Sequence, residues 1–194
     1  MTEKLFKKLE AAGGIVVFAI ASFLHFLFEL TGESVLGALL GAVNDSVWEH
    51  LKIFAIAYLI WAVVELLWAQ PPLKAFVWAK AVGVYALCIS IAGFFYLYTG
   101  LLGKSVLIVD LLSGLVFSFL AHYISYKLTV SCRNRGQFFY TGLMLLFLML
   151  VMILCFTYYP PEADLFRDPV TGEYGVPVDI PDPGARVLDT LYMK

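Results

Sequence analysis

Asn44-Asp45-Ser46-Val47-Trp48-Glu49-His50-Leu51-Lys52 is a polar stretch between two long apolar segments. It combines an amide, a hydroxyl, two acids, an imidazole and an amine. The 194-residue chain is 61% hydrophobic and 14% charged, with a mean hydropathy of +0.86, whereas soluble domains are about a quarter charged. A soluble chain of this length would have too little polar surface to cover itself. The composition therefore predicts an integral membrane protein of one domain, and the net charge of −2 indicates no nucleic-acid partner.

Five apolar segments are long enough to cross the hydrocarbon core, which takes about 20 helical residues. They lack the alternation of barrel strands, and only helices and closed barrels satisfy every backbone group in lipid. We therefore expect an all-α, polytopic transmembrane helix bundle over residues 1–159. The predicted spans are residues 14–30, 46–69, 75–98, 105–130 and 138–159. Between the first two, the short apolar segment 34–43 predicts a re-entrant or interfacial helix.

Lysine and arginine positions predict the orientation, because cytoplasmic loops of membrane proteins are enriched in them. With five spans, eight basic residues fall on one side, and Lys52 and Lys104 lie by the loops of the other. The eight are Lys4, Lys7, Lys8, Lys74, Lys80, Lys127, Arg133 and Arg135. We therefore expect a multi-pass protein of the inner (plasma) membrane, with its N-terminus in the cytoplasm and its C-terminus outside.

The segment 160–194 differs in composition from the rest of the chain. It contains seven acids, three bases and six prolines, and such a composition does not build its own core. We expect an acidic, proline-rich extracytoplasmic tail. Its part 165–175 has aromatic anchors and either lies over the outer ends of the helices or is solvated. The tail is also where a protein partner or a second copy of the chain would bind.

Five ionisable side chains near the outer ends of the predicted spans come from three of those spans. The first span carries His25 and Glu29, which are four residues apart and share a helical face. The second carries Glu49 and His50, and the fourth carries Asp110. Each costs roughly 2.5–3.5 kcal/mol on insertion scales, so each needs a partner, a cavity or a functional reason. The predicted topology puts all five in the outer half of the membrane.

This group of side chains predicts a divalent-metal site that faces outward. His25, His50 and Asp110 are the expected ligands, because imidazole and carboxylate together suit zinc, and also iron or manganese. A water bound to such a metal becomes acidic enough to attack an ester or an amide. Glu29 or Glu49 would then act as a general base. The enzymatic version of this hypothesis is a metal-dependent hydrolase of lipids or other amphiphiles.

The same residues also have a structural interpretation. Ser46 and Glu49 match the S-x-x-E capping box of a helix start, and Glu49 can pair with Lys52 one turn later. His25 would then form a hydrogen bond with Asp110 or Glu49 across helices. On this interpretation the polar groups satisfy one another, and the chain is a non-enzymatic membrane protein, either structural or a partner subunit.

Three ionisable residues are predicted nearer to the cytoplasmic side. His122 is expected in the bundle interior, on a stripe of small and polar residues in the fourth span. Lys80 is expected to extend its amine to the membrane interface. Glu65 and His122, together with Asp110, would provide the steps of an ion or proton pathway.

Three motifs resemble those of an uncharacterised family of small bacterial membrane proteins, known only as a domain of unknown function. They are residues 25–32 (HFLFELTG), 44–52 (NDSVWEHLK) and 165–175 (LFRDPVTGEYG). We expect glutamate in the family pattern where Asp45 stands here. The resemblance implies an integral membrane protein of five helices without an agreed activity.

A second set of residues is similar to the superfamily of membrane metal hydrolases that includes alkaline ceramidases and adiponectin receptors. The set is Ser46-x-x-x-His50, the intramembrane Asp110 and a histidine late in the chain, His122. The resemblance implies metal-dependent hydrolysis and adds Ser46 to the candidate catalytic residues. The chain departs from that pattern in having five spans instead of seven, and Ser125-Tyr126 where a second histidine is expected.

Overall fold

The computed structural model describes residues 3–132 and 138–176. Within these residues the chain forms seven helices, and five of them are long and apolar enough to cross a membrane. This confirms the prediction of an all-α chain with five potential spans. The five long helices are α1 (Glu3–His25), α4 (Val47–Ala69), α5 (Leu73–Leu102), α6 (Leu107–Ser131) and α7 (Phe139–Tyr158). The two short helices are α2 (Leu27–Leu30) and α3 (Val35–Leu40).

Helix α1 begins at Glu3, well before the predicted start at residue 14. Its buried positions Phe6, Leu9, Glu10 and Gly13 follow helical spacing, and the lysines between them are exposed. These lysines interrupt the apolar run in the sequence. The helix nevertheless continues through them, because they lie on its exposed face. At the other end α1 stops at His25, and the rest of the predicted span forms the separate helix α2.

Four of the long helices close into a ring. Helix α1 packs against α4 and α6, and α5 packs against the same two helices from the other side. Helix α7 lies outside this ring and packs mainly on α5. It is the least buried of the five long helices, since 17% of its most apolar 18-residue stretch is buried. Its exposed leucine, methionine and phenylalanine side chains are typical of a surface that faces lipid.

Helix α4 begins within the polar stretch of residues 44–52. The Ser46 hydroxyl accepts a hydrogen bond from the Glu49 backbone N–H at 3.3 Å, and the Asn44 side chain accepts one from the Ser46 N–H at 2.9 Å. These bonds satisfy backbone donors that a helix start leaves free. The helix ends before Pro71 and Pro72, with Gln70 in the left-handed region at φ 45°.

The connection between α1 and α4 contains the two short helices. Ser34 caps α3 by accepting a hydrogen bond from the Gly37 N–H at 3.0 Å. Val35 and Leu36 are 66% and 69% exposed, while Ala38 is buried. A short helix with one buried and one exposed apolar face fits the interfacial helix predicted for residues 34–43.

The described part of the tail, residues 160–176, lies over one end of the bundle. The Leu165 carbonyl accepts a hydrogen bond from the Trp48 backbone N–H at 2.8 Å. The Phe166 ring lies 5.3 Å from Trp48 and 5.1 Å from Phe156 between centroids. Farther along, the Gly175 carbonyl accepts a hydrogen bond from the Asn44 side chain at 2.9 Å. We call this end, where α1 stops and α4 begins, the cleft end. Of the two alternatives for residues 165–175, the structure thus supports the one in which they lie over the ends of the helices, and residues 177–194 lie outside the described residues.

Candidate functional site

His25, Asp45 and His50 form a compact group at the cleft end, here called the cleft cluster. One ligand atom from each of the three lies within 4.8 Å of the others. His25 Nε2 is 3.6 Å from Asp45 Oδ1, and the His25 and His50 rings are 5.1 Å apart between centroids. The three meet because the last residue of α1 faces the first turn of α4, across a connection that folds back on itself. Two imidazoles and a carboxylate at this separation form a donor set that suits a divalent transition metal.

The orientation of His50 leaves one ring nitrogen available. His50 Nδ1 lies 2.9 Å from the Ser46 carbonyl oxygen. Because a carbonyl only accepts hydrogen bonds, Nδ1 is the donor, and in the neutral ring the lone pair is then on Nε2. Histidines that bind metals are usually held in this way, with the second nitrogen donating to a carbonyl or carboxylate. Ser46 therefore positions His50 through its carbonyl and caps the helix through its hydroxyl.

A cleft of about 340 Å³ opens beside the cleft cluster. Its described wall contains four carboxylates and no lysine or arginine. Two of the carboxylates, Glu29 and Asp45, come from the connection between α1 and α4, and the other two, Asp168 and Glu173, come from the tail. Asp168 is engaged in its own turn, since its two oxygens accept from the Val170 N–H and the Thr171 hydroxyl. The cleft is thus built to attract cations.

Of the three predicted catalytic residues, only Glu29 lines the cleft. Glu49 is 1% exposed, and its Oε2 accepts from the Val43 N–H at 2.9 Å and lies 2.6 Å from Lys52 Nζ. Ser46 is equally buried, and its hydroxyl accepts from the Glu49 N–H. The predicted helix cap and the Glu49–Lys52 pair are both present. These two residues hold the start of α4 in place.

Asp110, the third predicted ligand, is not brought into the cleft cluster. Its Oδ1 accepts a hydrogen bond from the Tyr98 hydroxyl at 2.5 Å. The same hydroxyl accepts from the Val106 N–H at 3.0 Å, so Tyr98 ties the start of α6 to the end of α5. Asp110 lies at the expected level along its helix, but it faces α5. Asp45, which is not among the predicted ligands, lies beside the two histidines instead.

A second group of ionisable residues, the interior cluster, consists of Glu10, Glu65, Lys80 and His122. Each comes from a different helix of the four-helix ring, and each is at most 3% exposed. Lys80 Nζ lies 3.0 Å from Glu10 Oε2 and also contacts Glu65 Oε2. His122 Nδ1 lies 2.7 Å from Glu10 Oε2. The expectation that Lys80 extends to the interface is wrong, because two carboxylates hold its amine inside the bundle.

Two glycines make room for the interior cluster. A Cβ atom at Gly13 would overlap the His122 ring, and one at Gly83 would overlap the Tyr58 hydroxyl. The Tyr58 ring in turn lies 4.8 Å from the His122 ring and 4.9 Å from Lys80 Nζ. Close helix approach at small residues is common in membrane bundles.

The sequence does not predict Glu10 as a bundle residue, because the predicted first span begins at residue 14. The available signal was its position in the stripe of Phe6, Leu9 and Gly13. A charged residue on the buried face of an amphipathic helix needs a partner inside the protein. His122 does lie in the interior, as its helix stripe predicts.

The structure thus defines a class: multi-pass α-helical proteins with a polar cleft at one end and a charged cluster inside. The chain belongs to the family of unknown function DUF6512, whose model matches residues 2–176. No curated protein matches the chain, and no solved structure does either. The similarity to alkaline ceramidases and adiponectin receptors therefore remains a prediction.

Proposed function

We propose that this protein binds a divalent transition metal, zinc in the first place, in the cleft cluster and hydrolyses an amphiphile there. The observation that carries the proposal is the convergence of His25, Asp45 and His50, with the His50 Nδ1 held by the Ser46 carbonyl. Helix capping and ion pairing explain Ser46, Glu49 and Lys52, but they do not explain two histidines beside a carboxylate.

The donor set supports a catalytic site more than a structural one. Catalytic zinc sites commonly have three protein ligands and keep the fourth position for water or substrate, whereas structural sites close all four positions with protein. The cleft cluster offers three ligands, and two of them, His25 and Asp45, line the cleft, so a water molecule can reach a metal held there. A metal at this place would acidify that water and polarise the carbonyl of an ester or amide.

Glu29 is the candidate general base. It lies four residues after His25 and lines the same cleft. Its carboxylate would take a proton from the attacking water and pass it to the leaving alcohol or amine as the bond to the carbonyl carbon breaks. Glu49 cannot do this in the same way, because its carboxylate is already bound by Lys52 and by the Val43 N–H.

The surroundings of the cleft favour an amphiphilic substrate. Leu30, which follows the cleft residue Glu29 on α2, is more than 60% exposed, and so are Val35 and Leu36 on the next helix, α3. Apolar side chains at the end of a membrane bundle lie at the interface with lipid. An amphiphile resting there could place its polar group in the cleft. The lysines and arginines on the predicted cytoplasmic side support a cleft that faces outward from the plasma membrane.

The test is hydrolysis of a chromogenic fatty-acid ester by the full chain in lipid nanodiscs. We expect turnover that stops with chelator and returns with zinc. Glu29→Gln should lower turnover by roughly 10²-fold or more, the range typical of a lost general base. Asp110→Asn is the matched control, because its carboxylate faces Tyr98, and it should retain most of the activity. Activity that is insensitive to chelator and to Glu29→Gln would contradict the proposal.

A further inference from the structure

The interior cluster is separate from the cleft cluster. Glu10 and His25 are fifteen residues apart on α1, and Glu65 and His50 are fifteen residues apart on α4. At 1.5 Å per residue, both helices put the two clusters about 22 Å apart along the bundle. The proposed hydrolysis makes no use of the interior cluster, so its four ionisable residues need an explanation of their own.

The charges of the interior cluster do not balance. Among the described residues it contains two carboxylates, Glu10 and Glu65, and one amine, Lys80, which contacts both. The amine is also held over the rings of Tyr58 and Phe76, at 4.9 and 5.3 Å from their centroids, which favours its charged form. With neutral His122, one negative charge is left over. An uncompensated charge in a site of low dielectric constant is strongly disfavoured.

A proton neutralises this excess better than a metal ion does. Glu10, Glu65 and His122 could also offer three ligand atoms within 4.8 Å of one another. However, the Lys80 amine already lies between the two carboxylates, and a divalent cation there would be repelled by it. A proton does not need the position that the Lys80 amine occupies, because it binds to a nitrogen or an oxygen atom of the cluster.

The positions available to that proton are adjacent. His122 Nδ1 lies 2.7 Å from Glu10 Oε2 and 3.7 Å from Glu65 Oε1. Ser125 donates a hydrogen bond to the other Glu10 oxygen at 2.9 Å, which fixes that carboxylate. Glu65 Oε1, His122 Nε2 and the Tyr58 hydroxyl are buried without a hydrogen-bond partner among the described residues. These atoms point to a site whose hydrogen bonding is completed by an additional proton.

We propose that the interior cluster is an intramembrane proton-binding site, which holds one exchangeable proton among His122, Glu10 and Glu65. The groups facing that proton are Glu10 on α1, Tyr58 and Glu65 on α4, Lys80 on α5 and His122 on α6. Loss of the proton leaves a net negative charge where four helices meet. The protonation state of the cluster therefore controls how tightly the ring of helices is held together.

The experiment uses the full chain with His25→Ala and His50→Ala, in lipid nanodiscs at neutral pH. The chain has three histidines, so His122 is the only one left, and its ¹⁵N resonances report whether the ring is charged. Infrared spectra report a protonated carboxyl group. We expect one of these two signals, amounting to one proton per chain, and we expect Glu65→Gln to abolish it. Glu3→Gln, an exposed change on α1, should leave it unchanged.

Three results would overturn the proposal. The first is a neutral His122 together with fully ionised carboxylates in the parent protein. The second is a proton signal that persists in Glu65→Gln. The third is a stoichiometric metal ion that is bound by the parent protein and lost in Glu10→Gln. If Glu65→Gln does not fold, the spectra of the parent protein decide, because a parent with no bound proton is already contrary to the proposal.

Discussion

Lys52 and Glu49 lie one turn apart near the start of α4, and each is only 1% exposed. The spacing of the two residues predicts their pairing. It does not predict that Lys52 Nζ also donates to the Ala38 carbonyl at 2.8 Å and to the Thr157 hydroxyl at 3.2 Å. Those acceptors belong to α3 and α7, and their approach depends on how the helices are arranged. Lys52 therefore joins three elements at the cleft end.

Replacing Lys52 by methionine should strongly destabilise the protein. The change removes the only amine that contacts Glu49 in the described residues and leaves a buried carboxylate, which costs about 3–5 kcal/mol when a buried pair is broken. Reversible unfolding in detergent micelles measures the loss. Adding Glu49→Gln should recover part of it. Lys104→Met removes an exposed lysine and should change the stability by less than about 0.5 kcal/mol. Equal losses of stability in Lys52→Met and Lys104→Met would contradict the stabilising role of the buried Glu49–Lys52 pair.

The residues of the candidate site could be predicted only in part. His25, Glu29 and His50 stand out because ionisable groups are rare in membrane spans. Asp110 stands out for the same reason, yet it faces Tyr98, because a sequence fixes the level of a residue along its helix and not the neighbouring helix. Asp45 precedes the predicted second span, so its sequence position does not indicate a ligand, and its proximity to His25 is visible only in the structure.

At the scale of the helix, the start of α4 carries both the cap and one proposed ligand. Ser46 therefore distinguishes a structural role from a catalytic one. Ser46→Ala should lower stability by about 1 kcal/mol, as the loss of a helix cap usually does. Ser46→Asn should restore most of it while lacking the hydroxyl. The asparagine variant should also keep its activity toward the chromogenic ester, and a variant that is stable but inactive would show that the Ser46 hydroxyl acts in catalysis.

The packing of α1 on α6 depends on Gly13. Gly13→Ala should destabilise the protein by about 1–3 kcal/mol, the usual range for overpacking, because the new methyl group overlaps the His122 ring. Gly93→Ala is the control on α5, where a Cβ atom meets nothing within 4 Å. It should stabilise the helix by roughly 0.5–1 kcal/mol. Thermal unfolding in detergent compares the two, and an unaffected Gly13→Ala variant would argue against the close contact with His122.

The sequence predicts the first and last residues of a helix better than it predicts which helices lie beside it. Helix α4 starts within one residue of the predicted segment 46–69, because a cap and a pair of prolines delimit it. Helix α1 was predicted too short, because an apolar run is interrupted by charges that an amphipathic helix tolerates. The length of an apolar segment reflects the thickness of the hydrocarbon core of the bilayer. The partners of a charged residue depend instead on how the helices pack.

At the scale of the molecule, the order of the helices determines what the two clusters contain. Helices α1 and α4 contribute to both clusters, because they run antiparallel and adjacent through the bundle. No periodicity in the sequence indicates that α7 lies outside the ring, although its lack of ionisable residues is consistent with a surface toward lipid. The tail could be recognised by composition, but its packing on Trp48 and Phe156 could not.

The proposed orientation makes the cleft end accessible from outside the cell. In a chain whose native cysteines are replaced, Glu162→Cys should react with a membrane-impermeant maleimide in intact cells. Lys7→Cys should react only after the cells are broken. Both positions are exposed, so burial does not account for a difference. The reverse pattern would place the cleft in the cytoplasm and contradict the rule that basic residues face inward.

The metal content of the purified protein tests the central claim most directly. The full chain, purified in detergent after growth with trace metals, should retain about one divalent ion per chain, as expected for a site with three protein ligands. The double change His25→Ala and His50→Ala should remove it, while Asp110→Asn should retain it. A wild-type protein that contains no metal, and whose stability is the same with and without chelator, would contradict the claim and leave the cleft cluster a structural contact between α1 and α4.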